Sequence, residues 1–377
     1  MSLENIIKNK KKEIAKKKDF NNLKDINLFG MMSTLLSRFL TEMPIKKHFA
    51  IYKENLVYES YKTETHTKEG DLLINQRSKF TPKSFENLQE LKTKPHIITT
   101  FHLGMYLTNA NFLYANGIEF TALISSNSLS HNGNRFRDIM KNGQNFDLKF
   151  IDAEDKNSAL TSIRELKSGK SLLIYIDGNL GAIEKKENLC EINFLDSKIN
   201  VRKGVSFISY LTKIPIVNVF NYIEDNKDIV YHISNPIISN NKNEDALIME
   251  KIWNEFSVFL KEYPEQWEVW RYLHKSLLDK SNKTADYLNN YNDIEVQNVI
   301  DNINKSFCFN LEEYALFITS EDTYVLDKKT LNSYFIVPKY EDLLRKSLFN
   351  EVKCDAKNVE IINHLFQKKL LKIIPAN

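Results

Sequence analysis

The chain has 377 residues, 42% hydrophobic and 27% charged, and its 52 basic and 49 acidic side chains leave a formal net charge of +3. These are globular proportions in a chain long enough for two domains, and the near-cancelling charge argues against a whole-protein grip on nucleic acid. No apolar run reaches the ~18 residues of a membrane span, and the start lacks the apolar core and cleavage site of a signal peptide. Cys190, Cys308 and Cys354 are too scattered for a zinc motif or a disulfide framework, so a reduced, cytoplasmic setting is expected.

Residues 1–44 form a basic and amphipathic amino-terminal region. Lys8, Lys10, Lys11, Lys12, Lys16, Lys17 and Lys18 have few apolar partners and predict a solvated helix or arm. The apolar stretch from Ile26 to Leu40 has two readings. It is either an interfacial helix that, with the basic arm, contacts anionic lipid peripherally, or an ordinary helix packed on the protein. Residues 45–90 are helical in pattern and rich in Lys, Glu and Tyr. From Pro95 onward, strand-like runs at Ile97–Phe101, Phe120–Ile124, Leu148–Ile151, Ser171–Ile176 and Ile214–Phe220 alternate with helical segments such as Asn157–Ser168 and Gly204–Thr212. That alternation predicts an α/β domain over 45–278, with a mostly parallel sheet flanked by helices. The helix Asp245–Glu262 closes it. A polar linker is expected at Asp279–Asn292, followed over 290–377 by a small α+β domain, winged-helix-like in its order of elements. Its short strands are expected at Tyr314–Thr319, Tyr324–Asp327 and Ser333–Val337, and its amphipathic helices at Glu341–Phe349 and Asn358–Leu371.

The rest of the chain is organised around the stretch from Pro95 to Tyr106. Its β-branched apolar run ends at His102, followed by Leu103 and Gly104. A buried strand of this kind delivers one imidazole to its carboxyl end, where open α/β sheets bind their ligands. Asp177 follows the apolar run Leu172–Ile176 and is expected at the same sheet edge. Its turn, Asp177-Gly178-Asn179-Leu180-Gly181, has a composition that any tight turn favours. Arg202-Lys203-Gly204 opens a helix, and a helix amino terminus flanked by basic side chains is either an anion site or solvated surface. Trp267, Trp270 and His274 are expected to pack the closing segment on the sheet. Dinucleotide, P-loop, zinc-protease and serine-hydrolase signatures are absent from the sequence, and no metal or cofactor is expected.

Four blocks in order carry a resemblance: Thr99-Thr100-Phe101-His102-Leu103-Gly104-Met105-Tyr106; Ile176-Asp177-Gly178-Asn179-Leu180-Gly181; Phe194-Leu195-Asp196-Ser197-Lys198 running into Arg202-Lys203-Gly204; and Tyr263-Pro264-Glu265-Gln266-Trp267 with Arg271-Tyr272-Leu273-His274-Lys275. Over residues 95–275 the chain resembles the lipid A biosynthesis acyltransferases, the lauroyl/myristoyl branch of the lysophospholipid acyltransferase superfamily. The resemblance implies a glycerolipid acyltransferase-like fold and transfer of a fatty acyl group from an acyl carrier protein or coenzyme A thioester to a hydroxyl or amine. It also implies that His102 is the base, that Asn179 replaces the second acid of an Asp-x-Asp-x-Gly block, and that Asn132, Asn134 and Arg135 fall where an acceptor head group binds. Arg202 and Lys203 would then contact a donor's phosphopantetheine or an acceptor's phosphate.

The family motif places an acid five positions after the histidine, to orient and charge-stabilise the imidazole. Here that position is Leu107. Three readings follow. Asp177 supplies the orientation; or His102 acts alone on an amine or thiol acceptor; or the site has left acyl transfer and His102 is structural. The contrasting function is a catalytically silent fold acting as a binding or scaffold module through its carboxyl-terminal domain. That domain loosely resembles winged-helix modules that bind a leader peptide as an added strand.

Overall fold

The computed structural model describes residues 2–17, 20, 22–65, 78–125, 149–178, 188–276, 302, 304–320 and 322–375. The chain begins with three helices, α1 (Leu3–Lys16), α2 (Leu23–Phe39) and α3 (Ile45–Thr65). It then divides into two units that are not consecutive ranges. The first comprises 1–14 and 53–278, the second 15–52 and 279–377, with divisions falling inside α1 and inside α3.

The first unit continues with β1 (Ser78–Phe80), α4 (Ser84–Leu91), β2 (Ile97–Thr100), α5 (Asn109–Ala115), β3 (Phe120–Ile124), β4 (Lys149–Asp152), α6 (Ser158–Lys167) and β5 (Ser171–Tyr175). Then come β6 (Leu189–Phe194), β7 (Ser197–Arg202), α7 (Gly204–Thr212), β8 (Ile216–Glu224), β9 (Asp228–Ile233) and α8 (Asp245–Glu262). Seven strands form one sheet in the order β1-β9-β8-β2-β5-β3-β4. Every neighbouring pair is parallel except β8 with β9. The expected α/β class with a mostly parallel, helix-flanked sheet is therefore present. β2 is central, and its Ile-Ile-Thr-Thr sequence is buried throughout, as a parallel strand covered on both faces requires.

Connections of one hand place helices by the direction of travel across the sheet. The step from β2 to β3 runs one way; those from β4 to β5 and from β5 to β8 run the other. On one side, Leu3, Ile6 and Ile7 of α1 join Val57 and Tyr58 of α3, Leu88 and Leu91 of α4 and Phe112 and Leu113 of α5 over Ile98, Leu173, Val217 and Val219. The lysine-rich start is thus a packed amphipathic helix, with Lys8, Lys12 and Lys16 exposed and the apolar face in the core. Elsewhere Phe101 stacks on Phe256 of α8 at 3.9 Å and meets the edge of Trp253 at 5.2 Å. Burying aromatics of this size contributes on the order of 2–3 kcal/mol each. The β6–β7 hairpin, which sequence patterning does not predict, presents Phe194 to Trp253 at 4.9 Å.

The second unit contains β10 (Ser306–Phe309), β11 (Tyr314–Ile318), β12 (Thr323–Asp327), β13 (Ser333–Ile336), α9 (Pro338–Phe349), β14 (Val352–Lys353), α10 (Val359–Gln367) and β15 (Leu371–Ile374). Two antiparallel three-stranded sheets form, β14-β10-β15 and β11-β12-β13. The helix expected to run to Leu371 stops earlier, because Lys369 adopts φ +60° and the residues beyond it pair with β10 as β15. The expected linker at Asp279–Asn292 lies outside the described residues.

The apolar stretch with two sequence readings is α2, whose Ile26, Phe29, Met32, Leu35, Leu36 and Phe39 are buried. Asn27 adds a pair of hydrogen bonds to the end of β11, donating to Ile318 O at 2.7 Å and accepting from Ile318 N at 2.8 Å. Phe29, Phe49 and Phe349 cluster with ring centroids 5.0–5.6 Å apart. Among the described residues, no helix is long and apolar enough to cross a membrane.

Candidate functional site

Strand register brings the two sequence-selected residues together. β2 and β5 pair in parallel with Thr100 opposite Tyr175, so His102 and Asp177 come abreast two residues further on, where both strands have ended. His102 Nδ1 lies 2.6 Å from Asp177 Oδ1, and the His102 backbone N–H donates to Asp177 Oδ2 at 2.8 Å. The Asp177 side chain is fully buried and that of His102 is 18% exposed, so the imidazole reaches solvent while its carboxylate does not. A carboxylate at Nδ1 sets the tautomer that carries its proton there and the lone pair on Nε2.

A further partner of Asp177 comes from the closing segment. Trp267 Nε1 donates to Asp177 Oδ2 at 2.8 Å. Trp267 and Trp270 are fully buried, as expected from sequence. The indole hydrogen bond to the carboxylate was not legible there, since packing and positioning roles share one residue type. This segment lies along the histidine loop as a short strap. Gly104 N–H donates to Gln266 O and Glu268 N–H to His102 O, both at 3.1 Å, and the Gln266 side chain both accepts from Ile223 N and donates to Ile223 O at 2.8 Å.

The loop itself is held from below. Buried Asn221 accepts from Met105 N at 2.8 Å and donates to Asn109 Oδ1 at 2.7 Å. Asn109 in turn donates to Thr100 Oγ1 at 2.7 Å. Gly104 sits at φ +58°, and a Cβ there would lie 2.6 Å from Asn221 O, so neither the conformation nor the space admits a side chain. Gly178 meets a different demand. A Cβ on it would lie 2.6 Å from His102 Cε1, so the turn after Asp177 must be glycine for the imidazole to stand where it does.

Aromatic rings line the imidazole. Tyr106 meets it edge-on at 4.5 Å and Tyr175 lies at 4.9 Å. Tyr175 OH donates to Tyr106 O, and Tyr106 OH to Glu268 Oε2, each at 2.7 Å. Burial, reinforced by the Glu268 charge, pushes the Tyr106 hydroxyl far above its ordinary pKa. Burial and the Asp177 charge do the same to Tyr175. Both hydroxyls therefore stay protonated donors at any working pH. Leu107, half-buried in the turn Tyr106–Thr108, occupies the position of the family acid.

Asn132, Asn134, Arg135 and Asn179 lie outside the described residues. Arg202 is exposed at the end of β7, and Lys203 stands just before α7, which opens at Gly204 as the sequence predicts, its Nζ 3.9 Å from Asp245. Neither contributes a hydrogen bond to Asp177, whose partners are His102 and Trp267. Sequence reasoning did not single out Glu268, which stands in none of the quoted blocks, and gave Tyr106, the last residue of the first block, no role of its own. Among the described residues, no group of three His, Cys, Asp or Glu side chains gathers to hold a metal ion.

No protein-family model and no curated protein sequence matches the chain. The geometry therefore carries the functional argument. A solvent-reaching imidazole, backed by a buried carboxylate at the carboxyl end of a parallel sheet, can take a proton from a nucleophile and return it to a leaving group.

Proposed function

We propose that the protein is an acyltransferase of the glycerolipid acyltransferase-like type. It moves a fatty acyl group from a thioester on acyl carrier protein or coenzyme A to a hydroxyl or amine. The observation that carries this reading is the 2.6 Å contact between His102 Nδ1 and Asp177 Oδ1, which supplies from the neighbouring strand the carboxylate that Leu107 cannot.

For a hydroxyl acceptor, His102 Nε2 takes the proton as the oxygen attacks the thioester carbonyl. The C–O bond forms, the C–S bond breaks, and the departing thiolate recovers the proton from the imidazolium. Asp177 holds the ring and balances its transient charge, a contribution worth roughly 10⁴ in rate for a comparable pair. The exposed Arg202, beside the α7 amino terminus, suits the phosphate of a phosphopantetheine arm.

The reading extends to the second unit and to location. Its strands β10–β13 precede α9, in a winged-helix-like module whose edge strand β13, with half-buried Ser333, Tyr334 and Phe335, is suited to pairing with an extended peptide. We place the reaction in the cytoplasm or at the inner membrane face.

The test is incubation with acyl carrier protein bearing a labelled acyl chain. The wild type should release the thiol and His102→Ala should not, while Leu107→Glu should gain nothing because Nδ1 already faces a carboxylate. Equal turnover, or equal inactivity, of wild type and His102→Ala would sink the proposal.

A further inference from the structure

The outward faces of α6 and α7 take no part in the core. α6 lies in the step from β4 to β5 and α7 in the step from β5 to β8. These steps run in one direction, so both helices cover the same side of the sheet, and they pack against each other. Each leads into the amino end of a strand, which puts its own amino end at the carboxyl edge where His102 and Asp177 lie. α6 buries Ser162 and Leu166 and turns Leu160, Arg164 and Lys167 outward as one stripe at helical spacing. α7 buries Val205, Ser206, Ile208 and Ser209 and turns Phe207 and Leu211 outward. Leu160, Phe207 and Leu211 are 48%, 37% and 49% exposed.

The ionised groups along the two stripes are basic. Arg202 and Lys203 precede α7, Lys213 follows it, and α7 itself carries no acid. Glu165, the acid of α6, is engaged by Lys149 and Thr121, and Asp245 lies near Lys203. Glu154 and Asp155 stand before α6, where Asp155 accepts from Asn157 N at 2.7 Å. Exposed apolar side chains set among basic ones on neighbouring helices complement a helix that carries carboxylates beside apolar side chains. A helix lying on a membrane presents a broad apolar face instead, and each stripe here offers only one or two apolar side chains.

We infer that the outward face of α6 and α7 is the docking surface for the protein that carries the acyl thioester, a partner presenting an acidic helix. The carrier-protein form of the donor thereby gains binding that coenzyme A cannot. This rests on the acyl-transfer reading of His102 and Asp177, and Arg202, assigned there to the phosphopantetheine phosphate, makes the docking face continuous with that site.

The test uses the full chain, an acyl carrier protein, and two donors with the same acyl chain, one on the carrier and one on coenzyme A. Calorimetry measures binding of the unacylated carrier, and thiol release measures use of each donor. In the double variant Arg164→Glu, Lys167→Glu, carrier binding and kcat/KM for the carrier thioester should fall by about tenfold or more, as for two reversed charges at an interface rim, while kcat/KM for the coenzyme A thioester stays within about twofold. Leu211→Ser should weaken carrier binding by about threefold to tenfold. No carrier binding by the wild type, carrier binding unchanged in either variant, or an equal loss with both donors would overturn the inference. So would flotation with phosphatidylglycerol vesicles, or self-association in sedimentation, that replaces carrier binding and is lost in the same variants. If the wild type uses neither donor yet binds the carrier through Arg164 and Lys167, the docking surface stands and the acyl-transfer reading falls. If the coenzyme A thioester is used and the carrier does not bind, the reading stands and the inference falls.

Discussion

Asp177 combines complete burial with hydrogen bonds from Trp267 Nε1, His102 N and His102 Nδ1. The first two converge on Oδ2, leaving Oδ1 to the imidazole. Asp177→Asn preserves the shape but offers an amide to Nδ1, favouring the wrong tautomer. Thiol release from the acyl donor should fall by roughly 10⁴ while the melting temperature moves little. Asp177→Ala should lose the same activity and also stability, by about 1–3 kcal/mol for each donor left unpaired in the interior. Denaturant titration of the two variants separates these effects. Gly178→Ala tests placement: its Cβ would lie 2.6 Å from His102 Cε1, so activity should fall at least tenfold without any change in the titrating groups.

At the scale of elements, the site depends on the pairing of β2 with β5 and on the strap that crosses the histidine loop. Asn221 pins that loop to β8 through Met105 and Asn109. Asn221→Leu should therefore cost about 2–4 kcal/mol, with two buried partners unsatisfied, and should loosen His102; urea unfolding and thiol release report the two effects.

Much of this arrangement is legible in the sequence. The apolar runs ending at His102 and Asp177 identify both strands and the edge they share, because buried parallel strands carry an unbroken apolar signature. That β5 lies directly beside β2 is not legible, since strand order is set by crossovers between distant segments. The same holds for Trp267 Nε1 and Glu268, which reach the site only because the strap folds back over it. α1 was obscured by its lysines, although Leu3, Ile6 and Ile7 already lie at helical spacing. β15 was hidden in an apolar pattern that also suits a helix.

Across the whole molecule, the second unit is assembled from two stretches far apart in the chain, 15–52 and 279–377. A fragment beginning at residue 279 would lack α2, whose buried face includes Phe29, Met32, Leu35 and Leu36. It should aggregate or show little amide protection, whereas the full chain should protect β11 strongly. The same unit buries Lys328, which donates to Ser33 Oγ at 2.7 Å, while Ser33 Oγ lies 3.0 Å from His48 Nδ1. Burial lowers the Lys328 pKa to about 7, and burial together with the Lys328 charge lowers that of His48 to about 4.

Both groups bind fewer protons folded than unfolded. Stability of this unit should therefore rise with pH between about 4 and 6.5 through His48, and again upward from about 7 through Lys328. Lys328→Met should flatten the upper limb, and chemical denaturation across that range reads it directly. Retention of the upper limb in Lys328→Met would assign it to other groups.

In the proposed reaction the carboxylate that follows β5 does the work that the residue five positions after His102 cannot. The most direct test is the rate of thiol release from an acyl carrier protein thioester by wild type and by Asp177→Asn, with native folding of the variant established by its unfolding transition. A wild-type rate at least a thousandfold above that of the folded variant is the predicted result. A folded Asp177→Asn that turns over at the wild-type rate would contradict it.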